Sequence, residues 1–137
     1  MRILIVDDDP AVVDFFAQVA KTVGNETPTT AESGEAAMAC VINNKYDLIT
    51  LDIRMPGLSG LEILSMLRNM CPHAIIALIS GHFPDEMSEE TAHCADVMLE
   101  KPVKLKVLTA LMESARAISA EMDKVKALDS FDQKHIA

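Results

Sequence analysis

The chain has 137 residues, of which 50% are hydrophobic and 24% are charged. This length and balance predict one domain with its own hydrophobic core and exclude a disordered chain. Twelve basic residues against 21 acidic ones give a formal net charge of −9, and five aromatic residues with no Trp offer little surface for stacking bases, so nucleic-acid binding by this chain is not expected.

Short apolar runs alternate with longer stretches of helical period along the chain, a pattern that predicts a parallel sheet covered by helices. In chain order, the predicted strands are 3–6, 26–30, 48–51, 74–79 and 97–99. The first, third and fourth runs lack polar alternation, as expected where helices cover both faces of a sheet. Pro28 cannot donate to a strand ladder, so the second strand is expected at an edge.

Five predicted helices fill the gaps between these strands. They run from Pro10 to Gly24, over 33–43, from Gly60 to Cys71, over 84–93, and from Leu105 onward. Asp9 is expected to cap the first helix, and Ser59 with Glu62 forms a capping box at the third. The fourth has few apolar residues, which predicts a mobile helix. The fold class is therefore α/β, with a doubly wound parallel sheet.

The fifth predicted helix carries apolar residues at steps of three and four beyond the length that one sheet needs. This apolar stripe consists of Leu105, Leu108, Leu111, Ala115, Ile118, Met122 and Val125. One interpretation is an ordinary core-facing helix whose last turns fray. The other is a helix that pairs with a partner or with a second copy, giving a homodimer through the last helix. Residues 130–137 are expected to form a loose tail.

The cysteines and the start of the chain indicate the compartment. Cys40, Cys71 and Cys94 are far apart and form no CxxC pair, which argues against a disulfide framework or a zinc knuckle. The apolar residues 3–6 run directly into three aspartates, unlike a signal peptide, and no apolar run is long enough to cross a bilayer. We therefore expect a cytoplasmic protein that does not contact membranes.

Polar residues follow four of the predicted strands at the edge where ligands bind in doubly wound sheets. They are Asp7, Asp8 and Asp9 after the first strand, Asp52 after the third, Ser80 after the fourth and Lys101 after the fifth. Converging carboxylates repel one another unless a cation joins them, and ligands that are all oxygens favour Mg²⁺ over Zn²⁺. A magnesium ion, a free carboxylate, a hydroxyl and a lysine are what phosphoryl transfer to an aspartate requires.

The sequence resembles the receiver domains of bacterial two-component response regulators. The segments that carry the resemblance are ILIVDDDP at 3–10, DLITLDIRMPG at 47–57, LSGLE at 58–62, ISGH at 79–82 and LEKP at 99–102. The resemblance covers residues 1–121, which we take as the receiver domain, and leaves 122–137 as an extension of the last helix and a tail. It implies a flavodoxin-like sheet of five strands in the order 2-1-3-4-5 with five helices.

The resemblance also implies roles for individual residues. Asp52 matches the phosphoacceptor, which receives its phosphoryl group from a sensor histidine kinase or a histidine phosphotransfer protein. Asp8 and Asp52 match direct Mg²⁺ ligands, together with the backbone carbonyl of Arg54, and Asp7 matches the acid that helps to hold the ion. Ser80 matches the switch hydroxyl and Lys101 its ion-pair partner, with a cis peptide bond expected at Lys101-Pro102. The resemblance implies a signalling switch rather than an enzyme, which acts on a downstream protein target by contact or relays the phosphoryl group onward. Residues 122–137 alone follow the resemblance, which favours a receiver that acts on its own, and a piece of a longer regulator would look the same.

Two departures from the family's usual pattern involve three positions. Met98 stands where the family usually has an aromatic residue, and a flexible thioether is a poor two-state element. Coupling to the outer surface is therefore expected through the fourth helix. Arg54 and His82 occupy the positions that tune the lifetime of the phosphorylated state, and the sequence does not decide whether they hinder or orient the attacking water.

Two alternatives remain open from the sequence. The pair Asp7 and Asp9 after an apolar strand also resembles the haloacid-dehalogenase phosphatases, in which Asp7 would be the nucleophile. Pro10 and the lack of an acidic pair after Lys101 depart from that family. The second alternative is a degenerate receiver that serves as a constitutive interaction module.

Overall fold

A computed structural model describes residues 1–24, 27–85 and 87–130. Five strands alternate with five helices along the chain. The strands are β1 (Ile3–Val6), β2 (Thr29–Ala31), β3 (Leu48–Asp52), β4 (Ile75–Ser80) and β5 (Val97–Glu100). The helices are α1 (Pro10–Thr22), α2 (Gly34–Asn43), α3 (Gly60–Met70), α4 (Glu89–Cys94) and α5 (Leu105–Lys126). The strands form one parallel sheet in the order β2-β1-β3-β4-β5, so the predicted fold class is confirmed.

The central strands are apolar on both faces because helices cover both. One core cluster contains Leu4, Ile49 and Leu78, which face α2 and α3. A second contains their sequence neighbours Ile5 and Leu48, which pack with α1 and α5 on the other side. Alternate residues of a strand point to opposite faces, so each central strand contributes to both clusters.

Local signals place most helix ends where the sequence predicts them. The side chain of Asp9 accepts a hydrogen bond from the N–H of Ala11 at 3.0 Å and caps α1. Ser59 and Glu62 exchange the two hydrogen bonds of a capping box at the start of α3. β2 lies at the edge of the sheet, as Pro28 requires, although the described strand begins at Thr29 and Glu26 lies outside the described residues.

The predicted extent of the fourth helix is wrong at its start. α4 begins at Glu89 instead of residue 84, because the Ser88 hydroxyl accepts a hydrogen bond from the N–H of Thr91 and caps the helix there. None of the six residues of α4 is buried. This short helix therefore has little apolar packing to hold it, as the sequence predicts.

The apolar stripe of α5 divides into two parts. Leu108 and Ala115 are buried against the sheet, whereas Ile118 and Val125 are 51% and 60% exposed. The helix nevertheless continues to Lys126, so its last turns are helical without core contacts on these side chains. The predicted tail lies outside the described residues from position 131 onward. Within the described residues, no helix is both long and apolar enough to span a membrane.

Candidate functional site

The predicted site residues lie at the carboxyl edge of the sheet, where the connections diverge. β1 neighbours both β2 and β3, so the chain leaves this edge in opposite directions after β1 and after β3. Such a switch point leaves a crevice between the two loops, which is where ligands bind in doubly wound folds. Asp7 follows β1 and Asp52 ends β3, which puts both carboxylates in this crevice.

Three carboxylates meet in the crevice, as the sequence predicts. One carboxylate oxygen from each of Asp7, Asp8 and Asp52 lies within 4.8 Å of the other two. Asp7 and Asp52 are buried, whereas Asp8 is exposed at the mouth. An open cleft continues from this cluster. Its walls are Asp8, Asp9, Asp52, Arg54, Ser80, Gly81, His82 and Lys101.

Lys101 supplies the positive charge between the two buried acids. Its Nζ lies 2.9 Å from Asp7 Oδ2 and 3.4 Å from Asp52 Oδ1. The other oxygen of Asp7, Oδ1, accepts a hydrogen bond from the N–H of Asp9 at 2.9 Å. Both oxygens of Asp7 are therefore engaged, and Asp52 is the buried acid that also lines the cleft. The peptide bond between Lys101 and Pro102 is cis, as expected.

The electrostatics of the cluster favour a bound cation. Burial, followed by the neighbouring Asp7 carboxylate, raises the pKa of Asp52, and Lys101 and the backbone N–H of Arg54 offset this only in part. Burial alone would lower the pKa of Lys101, but its hydrogen bonds and charge interactions with Asp7 and Asp52 outweigh that effect and raise it. Lys101 is thus a stable cation, and the acids retain a repulsion that a further positive charge would relieve.

The donor set fits magnesium. All three cluster members offer carboxylate oxygens, the hard ligands that Mg²⁺ prefers. The exposed position of Asp8 leaves room for the waters that Mg²⁺ usually keeps. Arg54 is exposed and lines the cleft, and the role of its carbonyl as a ligand stays a prediction.

Ser80 lies in the same cleft, but its hydroxyl is turned to its own loop. The buried hydroxyl donates to the backbone carbonyl of His82 at 2.8 Å and accepts from the His82 N–H at 3.1 Å. The N–H of Lys101 donates to the carbonyl of Ser80 at 2.8 Å, which holds the two residues side by side. Ser80 and Lys101 are therefore neighbours, as predicted. The two hydrogen bonds between the Ser80 hydroxyl and the backbone of His82 were not predicted from the sequence.

Gly60 is a further contributor that the motif analysis did not single out. A Cβ at this position would lie 2.2 Å from the carbonyl oxygen of Asp52. The N–H of Gly60 donates to the carbonyl of Ile53 at 2.9 Å, so the start of α3 rests directly on the end of β3. The available signal was a glycine at the first position of α3, within the Ser59–Glu62 capping box, where a better helix former would be usual.

The family model described as "Response regulator receiver domain" matches residues 3–113. The chain belongs to this family. Receiver domains are phosphorylation-controlled switches of two-component signalling, and they bind Mg²⁺ at an acidic pocket. The resemblance stated from the sequence motifs is thereby confirmed.

Curated relatives and solved structures agree with this assignment. The chain is 36% identical over 100 residues to the transcriptional regulatory protein YvrH of Bacillus subtilis (strain 168), covering 73% of this chain and 42% of that protein. It is 34% identical over 117 residues to the response regulator MprA of Mycobacterium sp. (strain KMS), covering 83% of this chain and 50% of that protein. The chain thus spans half the length or less of these two relatives.

Among solved structures, a CheY-like receiver domain from Methylobacillus flagellatus has a TM-score of 0.73 at 26% identity, with 84% of this chain and 98% of that chain covered. NtrX from Brucella abortus has a TM-score of 0.77 at 30% identity, with 93% of this chain and 29% of that chain covered.

Proposed function

We propose that Asp52 accepts a phosphoryl group from the phosphohistidine of a sensor histidine kinase or a histidine phosphotransfer protein. The observation that carries this proposal is the position of Asp52. It is the carboxylate that belongs to the buried acid cluster, contacts Lys101 and also lines the open cleft. A donor phosphoryl group entering this cleft meets Asp52 before it meets Asp7.

The chemistry follows from these contacts. An oxygen of Asp52 attacks the phosphorus, the bond from phosphorus to the donor histidine nitrogen breaks, and that nitrogen keeps the electron pair. The ammonium of Lys101 stands beside Asp52 and stabilises negative charge on the transferred group. Mg²⁺, held by Asp7, Asp8 and Asp52 with the Arg54 carbonyl, would supply further positive charge to the phosphoryl oxygens.

Ser80 is the proposed sensor of this modification. Its hydroxyl is bonded to His82, and a phosphoryl group on Asp52 provides a stronger, charged acceptor in the same cleft. Rotation of the hydroxyl would release the loop after β4, which leads into α4. Since α4 buries no residue, its displacement costs little, and the changed surface can be recognised by a downstream protein.

Met98 supports the expectation that the signal passes through α4. It lies on the edge strand β5, paired with Leu78, and the residue is 38% exposed. A half-exposed thioether has several rotamers of similar energy and does not define two discrete states.

The alternative with Asp7 as nucleophile is disfavoured by the contacts of that residue. Asp7 is buried, one of its oxygens accepts the N–H of Asp9, and the other pairs with Lys101. A constitutive interaction module is disfavoured because the complete acid cluster, Ser80 and Lys101 all lie in the cleft or beside it.

Intact-protein mass spectrometry after incubation with acetyl phosphate and Mg²⁺ tests the proposal. We expect one phosphoryl adduct that requires Mg²⁺, persists in Asp14→Ala as the matched control, and disappears in Asp52→Ala. Asp14 is an exposed aspartate of α1 that does not line the cleft. Loss of the adduct in Asp7→Ala with retention in Asp52→Ala would instead support the phosphatase chemistry. No adduct on the wild-type protein, with no binding of beryllofluoride, would support the constitutive interaction module.

We further propose that the outer part of the α5 stripe pairs with a second copy of the chain. Ile118, Met122 and Val125 line an apolar surface on the helix, with Ala117 and Glu121 at its edge. Ile118→Glu combined with Met122→Glu should convert a dimer to a monomer in light scattering, and Lys106→Glu, at an exposed position of the same helix outside this surface, is the control. An unchanged mass at high concentration would contradict this proposal.

We place the protein in the cytoplasm and regard it as a signalling switch without an enzymatic activity of its own. All three cysteines are free, which fits a reducing compartment. The boundary at residue 121 between receiver domain and extension stays a prediction.

A further inference from the structure

The two ends of α4 are attached to the domain in different ways. At the N-terminal end, the hydroxyl of Ser88 bonds to the N–H and the hydroxyl of Thr91, which are within the same helix. At the C-terminal end, the backbone carbonyl of Cys94 accepts a hydrogen bond from the side chain of Arg68 on α3 at 2.9 Å. Apolar packing against the core is present on both sides, through Phe83 and Met87 before the helix and through Cys94 and Ala95 at its end, so the two ends differ in their hydrogen bonds to the rest of the domain.

The guanidinium of Arg68 joins three segments of the chain. Besides the Cys94 carbonyl, it donates to the carbonyls of Ala74 at 2.8 Å and Pro72 at 3.3 Å, which precede β4. Its Nη2 lies 2.7 Å from Asp96 Oδ2, just before β5. The planar guanidinium thus fixes the end of α3, the start of β4 and the end of α4 in one geometry.

Asp96 extends this attachment into the sheet. The carboxylate oxygen that pairs with Arg68 also accepts the N–H of Ile76 at 2.8 Å, and the N–H of Asp96 donates to the carbonyl of Ile76 at 2.8 Å. The Arg68 side chain is 22% exposed and that of Asp96 is 50% exposed, so the bonds of Arg68 to the Cys94 and Ala74 carbonyls are better shielded from water than its ion pair with Asp96. The end of α4 is therefore tied to β4, a central strand of the core.

We infer that Arg68 holds the C-terminal end of α4 as a fixed pivot, so that phosphorylation tilts the helix about Cys94 instead of detaching it. The inference rests on the proposed function, in which the loop from Ser80 to His82 changes when Asp52 is phosphorylated. That loop is continuous with the weakly attached end of α4. A helix that is hydrogen-bonded to the domain at one end and held only by apolar contacts at the other responds to such a change with one defined motion.

Hydrogen exchange followed by mass spectrometry, with and without acetyl phosphate and Mg²⁺, tests the pivot. In the wild-type protein, phosphorylation should change the exchange of the amides of Thr91 and Ala92, which are hydrogen-bonded to Ser88, and leave those of Cys94 and Ala95 unchanged. In Arg68→Gln, all of these amides should exchange about tenfold faster before phosphorylation, the scale expected for losing hydrogen bonds to a charged group. The phosphorylation-dependent difference should then disappear, while the mass adduct on Asp52 is retained.

Two further variants keep the test decisive. Arg116→Gln is the matched control, because Arg116 also donates to a backbone carbonyl, that of Val23, but joins α5 to the end of α1. Asp96→Asn is the substitute if Arg68→Gln does not fold. It removes the ion pair with Arg68 and keeps an oxygen that can accept the Ile76 N–H. The α4 amides should therefore also exchange faster in Asp96→Asn, but by a smaller factor than in Arg68→Gln.

Unchanged exchange of Cys94 and Ala95 in Arg68→Gln would overturn the inference, as would an equal increase along all of α4 when the wild-type protein is phosphorylated. If the α4 amides exchange faster in Arg68→Gln but phosphorylation still changes their exchange as in the wild-type protein, Arg68 stabilises α4 without determining how the helix moves. Absence of the mass adduct on wild-type protein would refute the proposed function separately, and the exchange of unphosphorylated Arg68→Gln would still decide whether the anchor exists.

Discussion

Replacing Gly60 with alanine tests how the backbone of Asp52 is held in place. The added Cβ would lie 2.2 Å from the carbonyl oxygen and 2.9 Å from the carbonyl carbon of Asp52, and 3.0 Å from the Cα of Ile53. These neighbours are backbone atoms of Asp52, the last residue of β3, and of the residue after it, so no side-chain rotation can relieve the contact. The strand end and the start of α3 must move apart.

The size of this movement sets the expected effect. Ordinary contacts of a Cβ atom begin near 3.4 Å, so the 2.2 Å approach must open by about 1 Å. Overpacking of this kind costs about 1–3 kcal/mol, and contact with backbone places Gly60→Ala at the upper end. For a domain of this size that corresponds to a Tm lower by about 10 °C. Misplacing a reacting group by about 1 Å reduces a rate by about 100-fold, which we expect for phosphorylation of Asp52.

Two measurements on the same samples check this prediction. Thermal unfolding gives the loss of stability, and mass spectrometry with acetyl phosphate and Mg²⁺ gives the rate of phosphorylation. Gly81→Ala is the matched control, because Gly81 also lines the cleft but a Cβ there would meet no atom within 4 Å. The control should keep the wild-type Tm. If Gly60→Ala phosphorylates at the wild-type rate and unfolds at the wild-type temperature, the packing of α3 on β3 does not position Asp52.

Three other changes have defined outcomes. Burial and Asp7 raise the pKa of Asp52, so ionised Asp52 destabilises the fold at neutral pH, and Asp52→Asn should raise the Tm by a few degrees in metal-free buffer. This gain in Tm should vanish as the pH falls through the folded-state pKa of Asp52 towards 3.8. Added Mg²⁺ should stabilise the wild-type protein more than the variant. An equal gain across that pH range would contradict the assigned cause. Lys101→Met removes the cation next to Asp52 and should raise its pKa further, which NMR titration of the carboxyl carbon can follow; an unchanged titration would show that Lys101 does not set it. The hydroxyl of Thr50 is buried and has no hydrogen-bond partner among the described residues. Thr50→Val should therefore raise the free energy of unfolding, measured in urea, by about 1 kcal/mol. A lower free energy of unfolding would show that the hydroxyl has a partner.

Much of the fold followed from signals that act over a few residues. Continuous apolar runs predicted the buried strands, and the caps at Asp9 and Ser59 predicted where two helices begin. The rule that polar residues at the carboxyl ends of parallel strands converge predicted that Asp7 and Asp52 would meet. These predictions succeeded because capping, burial and strand direction are properties of short segments and of the order in which they occur.

Other features depended on contacts that no short segment contains. The sequence placed Ser80 at the cleft, but only the structure shows its hydroxyl bonded to His82. Gly60 was visible as part of a capping box, and its contact with Asp52 emerges only when α3 packs against β3. Arg68 lies 26 residues from Cys94 and 28 from Asp96, and its position depends on the relative placement of α3, β4 and α4. The sequence by itself determined which elements form and which side chains gather at one edge of the sheet. The tertiary structure alone decided which atoms pair there, because hydrogen bonds are directional over distances of about 3 Å and the packing of the whole sheet sets those distances.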